Sequence, residues 1–347
     1  MKGKSLLKKG KFFWLANSAV SLALAFSPAG SAGQADQAGP AGEAGEAGKP
    51  AVRQVLGKDA QKYRVLEFPA NKAMGTLVAI DKGDPLSEKG LNFKRFGEAR
   101  GKVECGPGIK LGLRLNYDGA NDLSPLLKLR ADDIVALDNK AIPIPAGQFQ
   151  YLKNLTGLRR LELDDSDISD AELPYLKGCH DLGFLSVTRT LIKGPGLSVL
   201  RSFPHLRTLL VGHNALDENT LSGFDSLHEV KELHLDQSGI GDIALIHVGH
   251  MQALRDLRLT DNKRITDTGI AYLKGLKQLQ SLDISGTSVT KDCVKTLALL
   301  PALRLLRISS AKVTAEELAA IGKQLRRCNV RGEKPGKLPP DLFAPVH

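Results

Sequence analysis

The sequence predicts an α/β solenoid, a pile of short strand–helix units in which each unit packs on the next. Three observations carry that expectation. An L-x-x-L-x-L strand motif begins at Leu158, Leu182, Leu206, Val230, Leu254, Leu279 and Leu303, at spacings of 24, 24, 24, 24, 25 and 24 residues. Its third apolar position keeps step at Leu163, Val187, Val211, Leu235, Leu259, Ile284 and Ile308, and a further column follows at Ile168, Ile192, Leu216, Ile240, Ile265, Val289 and Val313. Between these columns apolar residues recur three apart, as in Leu173, Leu176, Cys179 and Leu197, Leu200, Phe203. That spacing puts them on one face of a helix. A single unit cannot bury its own leucines, so stacking must close the core. Helices are about 10 Å wide and strands lie about 4.8 Å apart. The mismatch bends the stack into a horseshoe, with a parallel concave sheet and convex helices.

The remaining elements follow in chain order. Residues 1–32 read as a secretory signal: Lys2, Lys4, Lys8, Lys9 and Lys11 precede an apolar stretch at 12–26, and Gly30 and Ala32 suit cleavage after Ala32. The stretch is shorter than the roughly 20 apolar residues that span a bilayer, so no stable membrane insertion is expected after cleavage. Residues 33–50 are rich in alanine and glycine. Gly33, Gly39, Gly42, Gly45 and Gly48 share a collagen-like period of three, but the run is too short and proline-poor for a triple helix. It reads as a disordered spacer. Residues 51–133 form a small β-rich N-terminal cap, with strand-like runs at 63–68, 76–80, 102–105 and 111–115 divided by turn signals such as Gly106-Pro107-Gly108. The last run resembles a degenerate first repeat. The repeat domain spans 134–330, opening on a weaker unit with Ile134, Leu137 and Ile144 and closing on a truncated strand at 328–330. Residues 331–347 are a flexible tail.

The run ITDTGIAYLKGL at 265–276 resembles the "itD-xgL-xxL-xxL" unit of bacterial leucine-rich repeats, of the secreted, planctomycete-like type. The resemblance covers 134–330 and implies a leucine-rich-repeat solenoid that binds proteins without catalysis. Lys193-Gly194 and Thr290-Lys291 depart from the unit's Thr-Asp pair. The column Ser166, Thr190, Asn214, Ser238, Asn262, Thr287, Ala311 resembles that family's asparagine ladder, which ties down turn backbone. Ser169 with Glu172, and Thr314 with Glu317, read as capping boxes at helix starts.

Chemistry is sparse. The chain carries a formal charge of +10, but outside the first 32 residues 43 bases stand interleaved with 38 acids, and no basic run with aromatics suggests nucleic acid. Cys179 and Cys328 occupy positions filled elsewhere by large apolar residues, so they read as small buried hydrophobes and no disulfide is expected. Glu232, His234 and Asp236 share a strand face, and His247 and His250 lie three apart. Neither set makes a convincing metal site. No dinucleotide loop or nucleophile elbow is present. No cofactor is expected, and no enzyme.

Function is therefore expected on the concave face, where the residues between the core columns point. The candidate contacts are Arg160, Glu162, Phe184, Leu210, Glu232, His234, Asp256, Arg258, Asp283 and Arg307. Phe184 and Leu210 read as exposed apolar anchors and the rest as a charged middle, a mixture suited to a protein partner. The expected location is secreted, or the periplasm or cell envelope. A passive envelope scaffold and a glycan-binding module are the alternatives.

Overall fold

A computed structural model describes residues 63–80, 94–139 and 141–332. The expected signal and spacer, and the tail beyond residue 332, lie outside the described residues. Five strands come first: β1 (Arg64–Glu67), β2 (Gly75–Ile80), β3 (Lys94–Glu98), β4 (Lys102–Cys105) and β5 (Lys110–Leu115). A short helix α1 (Tyr117–Asn121) follows, started by Asn116, whose side chain accepts the Gly119 N–H. The strand row continues with β6 (Ala136–Asp138), β7 (Arg160–Glu162), β8 (Phe184–Ser186), β9 (Thr208–Leu210) and β10 (Glu232–His234). It ends with β11 (Asp256–Arg258), β12 (Ser281–Asp283), β13 (Leu305–Arg307) and β14 (Asn329–Arg331).

From β5 to β14 every neighbouring pair is parallel, and the register advances by one repeat at each step, for example Leu209↔Leu233↔Leu257↔Leu282. β2 and β3 add antiparallel to the front edge, giving one 12-stranded sheet, while β1 and β4 pair separately. The run at 111–115 is thus a first repeat strand, with Leu113 opposite Leu137. β3 was missed by sequence reasoning because KRFGE shows no alternation of apolar and polar residues.

The core is the expected set of columns. Leu161, Leu185, Leu209, Leu233, Leu257, Leu282 and Leu306 are wholly buried, as are Leu235, Leu259 and Ile284. They join the apolar residues of the helical side in one continuous cluster. The chain is a solenoid of leucine-rich-repeat type.

The helical side differs from expectation in kind. In the front repeats it is built of 3-10 turns, at Ala146–Leu152, Leu173–Leu176, Pro195–Ser202 and Glu218–Ser226. A 3-10 helix repeats every three residues, which matches a strict threefold apolar spacing. Pro174 and Pro195 sit at the openings of two of these turns, where a missing N–H costs nothing. Further along, α2 (Ala244–Val248), α3 (Asp267–Tyr272) and α4 (Val294–Leu297) are short α-helices. There a buried pair such as Ala244 and Leu245 precedes Val248, and the spacing becomes helical. α5 (Ala315–Gln324) covers the end of the stack and begins with the full Thr314–Glu317 capping box. At Ser169 the carboxylate of Glu172 accepts both the backbone N–H and the hydroxyl, but the hydroxyl reaches Ala171 N rather than the Glu172 N–H of a capping box.

The polar ladder is realised. Asn262 is wholly buried; its amide donates to Leu235 O (2.7 Å) and Leu259 O (3.0 Å), and its carbonyl accepts Ser238 N–H (3.0 Å). Asn214 repeats this with Val187 O, Val211 O and Thr190 N. The residue just before the ladder takes a left-handed conformation at Asp165, Arg189, His213, Gln237, Asp261 and Gly286. All four cysteines are free. Cys328 corrects the sequence reading: β14 pairs Asn329 with Leu305, which puts Cys328 in register with Arg304 and leaves it half-buried.

Candidate functional site

The outward face of the strands is built by residues one unit apart, which the register makes direct neighbours. In the first outward column Arg160 lies beside Phe184, Thr208 beside Glu232 and Asp256 beside Ser281. In the second, Glu162 lies beside Ser186, Leu210 beside His234, Arg258 beside Asp283 and Asp283 beside Arg307. The structure thus brings all ten candidate residues to one face.

Their exposure is not uniform. Phe184 is buried, not an exposed anchor, because the Arg160 guanidinium lies 3.4 Å above the centre of its ring. Cation–π contact and the flat shape of arginine favour that cover. Asp283 and Arg307 are also buried, with 3.9 Å between Oδ2 and Nη1. Leu210 remains half-exposed, as do Arg160, Glu162, Glu232, His234, Asp256 and Arg258.

The charges are arranged in pairs along the face. Arg160 Nε meets Glu162 Oε1 at 2.5 Å, His234 Nε2 meets Glu232 Oε1 at 2.9 Å, and Arg258 Nε stands 3.9 Å from Asp256 Oδ1. Arg114 and Asp138, 3.5 Å apart, extend the row onto β5 and β6. Sequence reasoning missed this pair, although its positions follow from the period. Burial holds the Glu162 carboxyl above the usual range, against the pull of Arg160 and with help from Asp138. Burial also raises Asp256, against Arg258 and His234. Burial would raise Glu232 too, but the hydrogen bond and charge of His234, with Arg258 and Thr208, draw it below the usual range. Arg160 Nη1 is buried and has no hydrogen-bond partner among the described residues, and buried Asp256 Oδ1 has only the long 3.9 Å ion pair to Arg258 Nε. Such groups are rare in folded proteins, because an unpaired buried atom costs the loss of its water.

Metal chemistry finds no support in the geometry. Asp236 turns away from Glu232 and His234 to accept the Thr260 N–H at 3.2 Å. On the helical side His247 Nδ1 and His250 Nδ1 both meet Asp225 Oδ1, at 2.9 and 3.0 Å, so one carboxylate oxygen fills the point where two rings converge. Among the described residues no group of three His, Cys, Asp or Glu is placed to hold an ion.

A second column of acids serves the backbone. Asp170 accepts the N–H groups of Lys193, Gly194 and Gly196, while Asp242 and Asp267 each take the N–H and hydroxyl of a threonine one unit on, Thr266 and Thr290. Glu218 takes Gly241 N–H and pairs with Arg264. The Thr-Asp pair of the repeat was the visible signal for this tie.

Among the solved structures to which this chain is similar are two from Listeria monocytogenes str. 4b F2365. An internalin (inlF) is 20% identical, with a TM-score of 0.45, over 60% of this chain and 63% of its own. An internalin C2 (inlC2) is 21% identical, with a TM-score of 0.48, over 58% of this chain and 82% of its own. The match therefore spans less than two thirds of the first. No protein-family model matches the sequence, and no curated protein does.

Proposed function

We propose that the protein is a non-enzymatic binding module, and that the outward strand face, on the inner side of a horseshoe, receives a protein partner. The supporting observation is that two buried atoms of this ion-paired face, Arg160 Nη1 and Asp256 Oδ1, make no hydrogen bond, the second being met only by Arg258 Nε at 3.9 Å. A partner that offers an acceptor to the first and a donor to the second removes both costs at once. Side chains already held by neighbours also lose little freedom on binding. Leu210 supplies apolar contact between the two charged groups.

In this reading residues 1–32 direct the chain out of the cytoplasm and are removed, 33–50 are a spacer, 51–133 cap the front of the stack, and 134–330 present the face, with 331–347 as a tail. The planctomycete-like affinity rests on the repeat motif alone. Among the described residues no helix is long and apolar enough to cross a membrane.

Site-specific photo-crosslinking tests the reading. A benzoylphenylalanine at Leu210 or at His234 is expected to trap a discrete protein adduct in envelope preparations, whereas one at Gln150, exposed on the helical side, is not. Equal adducts from all three positions, or none from the strand face, would overturn it.

A further inference from the structure

The residue immediately before each strand forms a row of its own. Backbone hydrogen bonds tie it together without a break: Gly183 N to Arg159 O (2.9 Å), then Arg207 to Gly183, Lys231 to Arg207, Arg255 to Lys231, Gln280 to Arg255 and Arg304 to Gln280, each 2.8 Å. Five of these seven positions are cations: Arg159, Arg207, Lys231, Arg255 and Arg304. Strands lie about 4.8 Å apart, so three of the cations follow at that pitch and the whole row extends about 29 Å. Arg255 and Arg304 are exposed and the others half-buried. Among the described residues Arg159, Lys231 and Arg255 enter no ion pair. The positions just ahead of the row hold two acids, Asp181 and Glu229, and Glu229 already lies 3.6 Å from His205.

Both ends of the row open into clefts. A cavity of about 420 Å³ sets Arg64, Lys110 and Arg130 beside Arg159. Asp132 and Asp181 also line it, so its four cations face two acids, and Asp133 behind them serves both Arg64 (3.6 Å) and Arg130 (3.2 Å). A cavity of about 380 Å³ at the other end is lined by Arg326 and Arg327. The edge where the strands finish is mixed: it holds Asp164, Asp165, Asp236 and Asp261 beside Arg189, Lys193, Lys263 and Lys312, and Arg189 pairs there with Asp165.

We infer that this strand-entry rim binds a linear acidic polysaccharide. A row of cations at regular pitch matches a chain that repeats its anionic group, and gains its free energy by releasing that chain's counterions. Nucleic acid fits less well: none of the rim positions, nor the two before each, holds a Phe, Tyr or Trp on which a base would stack. The rim is a different surface from the strand face, and its binding does not depend on the partner proposed there.

Fluorescence anisotropy of labelled polygalacturonate, titrated with the full chain, tests this. Binding is expected at about 50 mM salt and should weaken about tenfold or more by about 200 mM. The rim variant R207Q/K231Q/R255Q should bind about tenfold or more weakly. K193Q/K263Q/K312Q, which removes three cations from the opposite edge, should bind within about twofold of the parent. If the rim variant melts early, the single change R255Q at an exposed position replaces it, with an expected loss of about two- to threefold. Four results would overturn the inference: no binding by the parent at low salt, an undiminished rim variant, equal losses in both triple variants, or tighter binding to single-stranded DNA of equal charge.

Discussion

Asn262→Ala is the sharpest test of how the stack is held. The side chain makes three short hydrogen bonds to the backbone of its own and the preceding repeat, at 2.7, 3.0 and 3.0 Å, beside a longer one of 3.4 Å to Thr260 O, and is wholly buried. Each bond contributes about 1 kcal/mol net, and an N–H left buried and unpaired costs about 1–3 kcal/mol more. The loss should be about 4–6 kcal/mol. Ser238, one unit earlier in the same column, bonds only through longer contacts of 3.2 and 3.5 Å, so Ser238→Ala should lose about 1 kcal/mol. Asn214→Ala should match Asn262→Ala, because its three bonds to backbone groups are equivalent. Urea unfolding followed by far-ultraviolet circular dichroism gives all three values. Stability in a solenoid is a sum of neighbour terms, so the Asn262 variant should also broaden the transition as the two halves uncouple. A loss below about 1 kcal/mol for Asn262→Ala, or a loss at Ser238 as large, would refute the ladder as the tie between repeats.

Other perturbations address other parts of the fold. Leu235→Asp places a carboxylate at a wholly buried site and should cost at least about 4 kcal/mol; an unchanged melting temperature would contradict the register. Asp242→Ala removes the acceptor of Thr266 N–H (2.8 Å) and hydroxyl (2.7 Å) and should cost about 2 kcal/mol in urea, with Asp242→Asn recovering part of it. Gln237→Gly should leave stability within about 1 kcal/mol, since relief of its left-handed strain offsets the entropy of glycine. Gly286→Ala should lose about 2 kcal/mol, because its φ of +71° is combined with a clash against Asp261. Burial raises the Glu162 pKa, so the fold favours the neutral acid, and the stability this brings is present at low pH and lost as pH rises through the folded-state value. Melting curves of parent and Glu162→Gln between about pH 4 and 8 should therefore diverge in favour of the variant as pH rises; the opposite slope would refute the burial argument.

The repeat strands β7 to β13 were legible because their core columns stay aliphatic at every step, and a leucine at the centre of each admits one register. The helical side was not legible in kind. Leu173, Leu176 and Cys179 satisfy a three-residue helix and one face of an α-helix equally, and only the local hydrogen bonds decide. Phe184 shows a subtler limit. Alternation along β8 correctly points it away from the core, and the period correctly sets Arg160 beside it. Neither says that the guanidinium will fold down over the ring. The same holds for Asp283 and Arg307, whose mutual cover buries both. Position came from the sequence; exposure required the packed side chains.

The period that builds the core also separates what the fold needs from what it does not. Core columns must be aliphatic, and ladder positions must carry a group that bonds to the turn. The strand-entry row has no such requirement, because its repeat-to-repeat bonds are made by main-chain N–H and C=O groups. Gly183 and Gln280 fill that row as well as any arginine does. Five cations in seven places are then not a condition of folding, and side by side they repel one another. A stack that tolerates this repulsion along one edge holds it as an asset only if an anion arrives to neutralise it.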